Sequence, residues 1–168
     1  MTTLPINTAG MVLINAYFPM FLERLKLVEN KTFTSDENRE KAVLYLNYLT
    51  TGLEKTDDHW LALSKILCGM TPDTVITQAI EVTEQEDALV DGLLNAAISY
   101  WSAIGMSSVA GFRGNWLIRN GTLTEYGERW EVKVEKKAYD LLIHKSPFSF
   151  SVIKFPWMIK PLYVEWRY

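Results

Sequence analysis

Apolar positions recur every three or four residues through the first two thirds of the chain, and this period predicts amphipathic helices. The first such stretch covers residues 9–29, where Pro19 should kink the helix or split it in two. Its wide apolar face predicts a central helix packed on more than one side. The following residues, Asn30–Thr34, are expected to form a loop. The positions repeating at four-residue spacing are Leu13, Tyr17, Phe21 and Leu25.

Start and stop signals define the next two helices. Ser35 is expected to cap a helix that Gly52 ends, because serine accepts hydrogen bonds from free amides and glycine takes the left-handed conformation. A shorter helix should follow between Thr56 or Asp57 and Gly69.

The sequence Thr83-Glu84-Gln85-Glu86 has the form of a capping box and predicts the start of a fourth helix. The apolar repeat continues to Ile104, so Gly105 is expected to stop this helix. Its repeating positions are Val90, Leu93, Leu94, Ala97, Trp101 and Ile104. The acidic residues on its other face, Glu84, Asp87 and Asp91, are expected to be solvated.

A fifth helix is expected to begin at Ser107 or Ser108 and to close at Asn120-Gly121 in the left-handed conformation. The period then changes to two. Strands are predicted at Thr122–Tyr126, Trp130–Val134 and Leu162–Trp166, with a turn at Gly127-Glu128. The stretch Tyr139–Ile143 fits either a helical turn or a strand.

The C-terminal run, residues 147–166, reads PFSFSVIKFPWMIKPLYVEW and is too apolar to lie in water. Its prolines, Pro147, Pro156 and Pro161, exclude an ordinary helix. We therefore expect short extended pieces folded back on the helices. The fold class is predicted as α+β: a single domain over residues 1–168, with about five helices in 1–120 and a small antiparallel sheet in 121–168.

Charge divides unevenly along the chain, whose formal net charge is −3. Residues 1–99 hold 7 Lys/Arg and 14 Asp/Glu, a balance of −7, whereas residues 100–168 hold 10 and 6, a balance of +4. Lysines interleave with aromatic residues in the second part, but the overall pI of about 5.4 argues against nucleic-acid binding.

Few residues suggest chemistry. Asp57-Asp58-His59 forms an acid–histidine cluster, but neighbours on a helix diverge, so a shared metal is geometrically poor. Cys68 is expected to be inert in the core, and His144 has no nearby nucleophile in the sequence. The sequence therefore predicts no catalytic, metal-binding or cofactor-binding residue. A small hydrolase using His59 or His144 is the weakest alternative.

Aromatic side chains near the C-terminus are candidates for partner contacts. Phe155, Pro156, Trp157 and Trp166 are predicted to contact a partner, since aromatic residues often anchor interfaces. Burial of Trp157 and Trp166 in the domain's own core is the alternative.

Four stretches of the chain together form a recognisable pattern: Asn7–Ile14 followed by Tyr17-Phe18-Pro19, Ala42–Leu46 with Leu49–Gly52, Leu63–Gly69, and Ser149–Met158. In this order and spacing they resemble one family, the C-terminal domain of contractile injection system tape-measure proteins, and the resemblance covers about Ile6 to Trp166. The chain departs from it at Met70-Thr71-Pro72, where family members usually have Leu-Pro after the glycine.

The resemblance implies a non-enzymatic assembly component of a phage-tail-like particle, without catalytic residues or cofactors. The tape measure of such a particle lies in the tube lumen and sets tube length. Implied partners are tube, cap or spike and baseplate proteins, with a homo-oligomer left open and neither nucleic acid nor membrane insertion. The implied location is the bacterial cytoplasm during assembly and then the particle interior.

Chain length refines this expectation. Even a fully helical chain of 168 residues would span at most about 250 Å. We therefore expect a globular end domain that anchors or caps the ruler. A generic helical protein-binding adaptor is the alternative.

Overall fold

The computed structural model describes residues 2–167 and begins with strand β1, Thr3–Ile6. A 3-10 helix, Ala9–Tyr17, then leads into α1, Phe18–Arg24. Pro19 lies in the first turn of α1, where its missing N–H has no helical partner to lose. The predicted long helix is thus divided near Pro19, as expected.

The region after α1 departs from the prediction. The strands β2, Val28–Glu29, and β3, Thr32–Phe33, form a small antiparallel hairpin. The helix therefore ends before residue 29, and the predicted loop contains a strand. Asn30 and Lys31, at the turn, have positive φ angles of 53° and 66°.

Helix α2, Asp36–Thr51, matches its prediction at both ends. The Ser35 hydroxyl accepts a hydrogen bond from the Asn38 amide at 3.0 Å, and Gly52 has a φ of 77°. A 3-10 turn, Asp58–Leu61, and the short helix α3, Ala62–Leu67, follow.

Helix α4, Glu84–Tyr100, has the predicted capping box but ends earlier than expected. Trp101 leaves the helical conformation with a ψ of 75°, and a 3-10 turn, Ser102–Ile104, precedes Gly105. The helix α5, Val109–Phe112, is capped by Ser108 and continues as a π-helical turn, Arg113–Leu117.

The predicted left-handed closure at Asn120-Gly121 is wrong, because Gly121 begins strand β4 with an ordinary φ. A side chain at Gly121 would press on the Ala9 methyl group at 2.9 Å, so close packing explains this glycine.

One five-stranded sheet joins the two ends of the described chain. It consists of β1, β4 (Gly121–Tyr126), β5 (Arg129–Val134), β6 (Val152–Ile153) and β7 (Leu162–Glu165) in the order β1-β4-β5-β7-β6. The α+β class is confirmed, but the predicted antiparallel sheet is wrong. β7 pairs parallel to β5, because residues 135–161 return the chain to the starting end of β5.

The ambiguous stretch 139–143 lies in a 3-10 helix, Ala138–Lys145. One face of the sheet packs on the helical layer through Leu123, Val132 and Leu162, each 0% exposed. A continuous core connects Ile6 with Trp166. None of the helices within residues 2–167 has the length and hydrophobicity needed to span a bilayer.

Candidate functional site

The C-terminal run crosses the helical body and is fastened there at several points. Asn15 donates its amide hydrogens to the carbonyl oxygens of Val12 at 2.7 Å and Ser149 at 2.8 Å. The Phe148 ring packs edge-on against Trp101 at a centroid distance of 5.9 Å. Phe155 contacts Phe18 of α1 at 6.3 Å. The expected folding back of this run is therefore seen.

Trp157 fastens the run to the end of α3. Its indole N–H donates to the carbonyl oxygen of Leu67 at 2.8 Å, and its ring lies 5.1 Å from that of Phe33. Arg39 stacks over Phe33 at 4.6 Å and donates to the Cys68 carbonyl at 2.7 Å. Two of the four sequence stretches thus meet here directly.

The four predicted contact residues differ in how much surface they offer. Phe155 is 8% exposed and Trp166 is 5% exposed, so both lie in the domain's own core. Pro156 is exposed and Trp157 is half-buried. Phe155, Pro156 and Trp157 share one turn, in which Met158 N–H donates to the Phe155 carbonyl at 3.0 Å. Their contact with a partner stays a prediction.

Trp166 belongs to a different cluster, built around a fully buried ion pair. Both side chains of the Arg119–Asp140 pair are 0% exposed, and Arg119 Nη2 lies 2.6 Å from Asp140 Oδ1. The Trp166 indole N–H donates to Asp140 at 2.9 Å, and the Lys137 amide donates to it at 3.0 Å. The guanidinium also faces the Trp116 ring at 5.4 Å.

Burial alone would raise the pKa of the Asp140 carboxyl, but the hydrogen bonds from Arg119, the Lys137 amide and Trp166 outweigh it and lower that pKa. No sequence pattern predicts this pair, and the available signal is an aspartate between the apolar residues Tyr139 and Leu141.

In the acid–histidine cluster, Asp58 and His59 each make a contact with a nearby residue. Asp58 pairs with the buried Lys65 at 2.8 Å, and Lys65 also donates to the Pro72 carbonyl at 3.2 Å. His59 is exposed and lies against the Trp60 ring at 4.6 Å. Among residues 2–167, no three histidine, cysteine or acidic side chains are grouped to hold a metal ion.

His144 is exposed at the end of its 3-10 helix and borders a groove of about 370 Å³. Cys68 is buried, and burial raises the pKa of its thiol, so the thiolate is disfavoured.

Two acidic residues of α4 connect this helix to α2. Glu86 accepts a hydrogen bond from the Tyr45 hydroxyl at 2.9 Å, and Asp87 accepts one from Tyr48 at 2.5 Å. The prediction that Asp87 is solvated is therefore wrong, since it is half-buried in this contact. The hydrogen bond to Asp87 raises the pKa of Tyr48 to about 12.

Comparison with known proteins gives one family match. The family model described as contractile injection system tape measure protein matches residues 1–166. Searches of curated proteins and of solved structures return no match.

The class defined by the family match is a structural component of an injection particle, and such a component interacts with other particle proteins. The chain belongs to the contractile injection system tape measure protein family. Tape measure proteins lie inside the particle tube.

Proposed function

We propose that this chain is a non-enzymatic end module of the tape measure, which docks the ruler to a tube, cap or spike and baseplate protein. The observation that carries this proposal is the shape of the region matched by the family. The longest helix, α4, has 17 residues and spans only about 25 Å. A folded body of this kind suits anchoring better than measuring.

The docking surface includes the exposed part of residues 147–166. Ile159 is 66% exposed and Val152 is 53% exposed, and Pro156 also faces solvent. The buried Phe155 fixes the turn that carries Pro156 to the core. Exposed apolar side chains on a firmly packed base resemble the pre-organised anchors of protein interfaces.

Substitution at this surface tests the role in particles. The chain is restored to cells that assemble the particle, and tube length is measured by electron microscopy. Ile159→Asp is expected to give absent or irregular tubes while leaving the melting temperature of the isolated chain unchanged. Met106→Asp, at a position that is 103% exposed elsewhere, is the matched control.

Deletion of the whole domain provides the decisive comparison. Tubes of normal and uniform length in its absence would contradict the proposal. If tubes are normal with Ile159→Asp but not with the deletion, the docking surface lies elsewhere on the domain.

A further inference from the structure

The segment between α3 and α4 belongs to no helix or strand, but its exposure follows a regular pattern. From Thr71 to Thr83, exposure alternates residue by residue, and the buried Ile80 is in phase with this alternation. This period of two is that of an extended chain. The inward positions between Val75 and Val82 are Ile76, Gln78, Ile80 and Val82.

This extended segment, Val75–Val82, is held by side chains and not by a neighbouring strand. Glu40 of α2 accepts hydrogen bonds from the amides of Thr77 at 2.5 Å and Gln78 at 3.3 Å. Glu54 accepts one from the Val82 amide at 3.3 Å. Within residues 2–167, the segment makes no backbone–backbone hydrogen bond.

Several main-chain amides of the segment therefore have no hydrogen-bond partner in the described part of the chain, namely those of Val75, Ile76, Ala79, Ile80 and Glu81. Amides two residues apart point to the same edge of an extended chain, so Ala79 and Glu81 present unpaired amides on one edge. Such unpaired amide and carbonyl groups are the template that an added strand uses.

The charge around the segment indicates what kind of strand fits. Asp73, just before the segment, and Glu81 within it are exposed, and Glu84 follows at the start of α4. A groove of about 180 Å³ lined by Ile76 and Ala79 is also lined by Glu54 and Asp58.

Lys55 also lines this groove, and the buried Lys65 is already paired with Asp58. Acidic side chains thus outnumber basic ones around the segment. A strand carrying lysine or arginine would be attracted, whereas an acidic strand would be repelled.

We propose that Val75–Val82 is a docking edge for an extended, basic strand of a partner protein, added by main-chain hydrogen bonding. The added strand would satisfy the free amides and carbonyls and place its cations beside Asp73 and Glu81. The inference deepens the proposed function, on which it rests, by stating the chemistry of one partner.

A binding assay with the full chain tests the edge itself. The probe is a short labelled peptide that alternates lysine with valine or threonine, and fluorescence anisotropy reports binding. The same peptide with glutamate in place of lysine, and one methylated on alternate main-chain nitrogens, are expected to bind several-fold more weakly. Equal binding of all three peptides would overturn the proposal.

Two sets of variants locate the contact. Ala79→Pro removes a free amide and is expected to weaken binding about three- to tenfold, the worth of one net hydrogen bond. Ala79→Ser keeps the amide and should bind as the native chain does. Asp73→Lys with Glu81→Lys should weaken binding, whereas Glu128→Lys, at an exposed turn after β4, should not.

Hydrogen exchange distinguishes an added strand from other binding. The amides of Ala79 and Glu81, which share one edge of the extended chain, should exchange fast in the free chain and become protected with the peptide. Protection only at amides outside the segment would overturn the proposal. A dimer of the chain that Ala79→Pro dissociates would also overturn it, because the occupant of the edge would then be a second copy of the chain. Because peptide binding and tube length are read separately, the docking edge and the end-module role can fail independently.

Discussion

Two glycines lie where distant parts of the chain touch at the level of single residues, and at Gly69 both parts belong to the stretches shared with the tape-measure family. Gly69 has a φ of +80°, and a Cβ there would overlap the Trp157 carbonyl oxygen. A Cβ at Gly10 would overlap the Trp116 carbonyl oxygen in the same way. The sequence predicts Gly69 as the end of a helix. Its contact with Trp157 could not be predicted, because no local spacing rule connects residues so distant in the chain.

The close approach at Gly69 predicts a large effect of a single methyl group. Gly69→Ala should lower the free energy of unfolding by about 2 kcal/mol or more, because both the left-handed backbone and the overlap with Trp157 are unfavourable. Urea unfolding measures this change. Gly92→Ala is the control, since the Gly92 Cβ would meet nothing within 4 Å in helix α4. It should raise the free energy of unfolding by about 0.5–1 kcal/mol. Equal effects at both sites would contradict the packing.

The elements most fully predicted are those defined by local signals. Helix α2, the capping box of α4 and the hairpin of β4 and β5 depend on caps, periods and a two-residue turn. The predicted end of α4 is wrong. The apolar repeat continues to Ile104, whereas Trp101 leaves the helical conformation and donates a hydrogen bond to Leu142. The direction of β7 could not be predicted from the sequence pattern either, because alternating apolar and polar residues do not distinguish a parallel strand from an antiparallel one.

Trp101 tests the packing that ends α4. It is 0% exposed, its indole N–H donates to the Leu142 carbonyl at 3.2 Å, and its ring lies 4.5 Å from that of Trp116. Trp101→Ala should lower the free energy of unfolding by about 3–5 kcal/mol, because it opens a cavity in the core. Tyr100→Ala, at a neighbour that is 66% exposed, should cost less than about 1 kcal/mol. An unchanged melting temperature for Trp101→Ala would show that this ring is not packed as described.

On the scale of the whole molecule, the Arg119–Asp140 pair connects parts of the chain that are distant from one another in the sequence. Arg119 donates to the carbonyl oxygens of Asn115, in the π-helical turn, and Glu135, after β5, while Trp166 closes the cluster from the C-terminal side. The candidate partner surface could be predicted only as a stretch of sequence. Trp166 faces inward where it donates to this buried pair, and a charge pair of distant residues leaves no periodic signal.

This pair predicts how stability changes with pH. The pKa of Asp140 is lowered in the folded chain, so its contribution is present above the ordinary aspartate pKa of about 3.9 and is lost as the pH falls through the lower folded value. Asp140→Asn leaves Arg119 buried without its counterion and should lower the free energy of unfolding at pH 7 by about 3–5 kcal/mol. The asparagine does not titrate, so the difference in the free energy of unfolding between the native chain and this variant should narrow in acid.

Urea unfolding of both chains across this pH range measures this gap in the free energy of unfolding, with Glu128→Gln, at an exposed turn, as the control. A gap that stays constant down to the unfolding of the native chain would show that Asp140 is not the carboxylate holding Arg119 in the core.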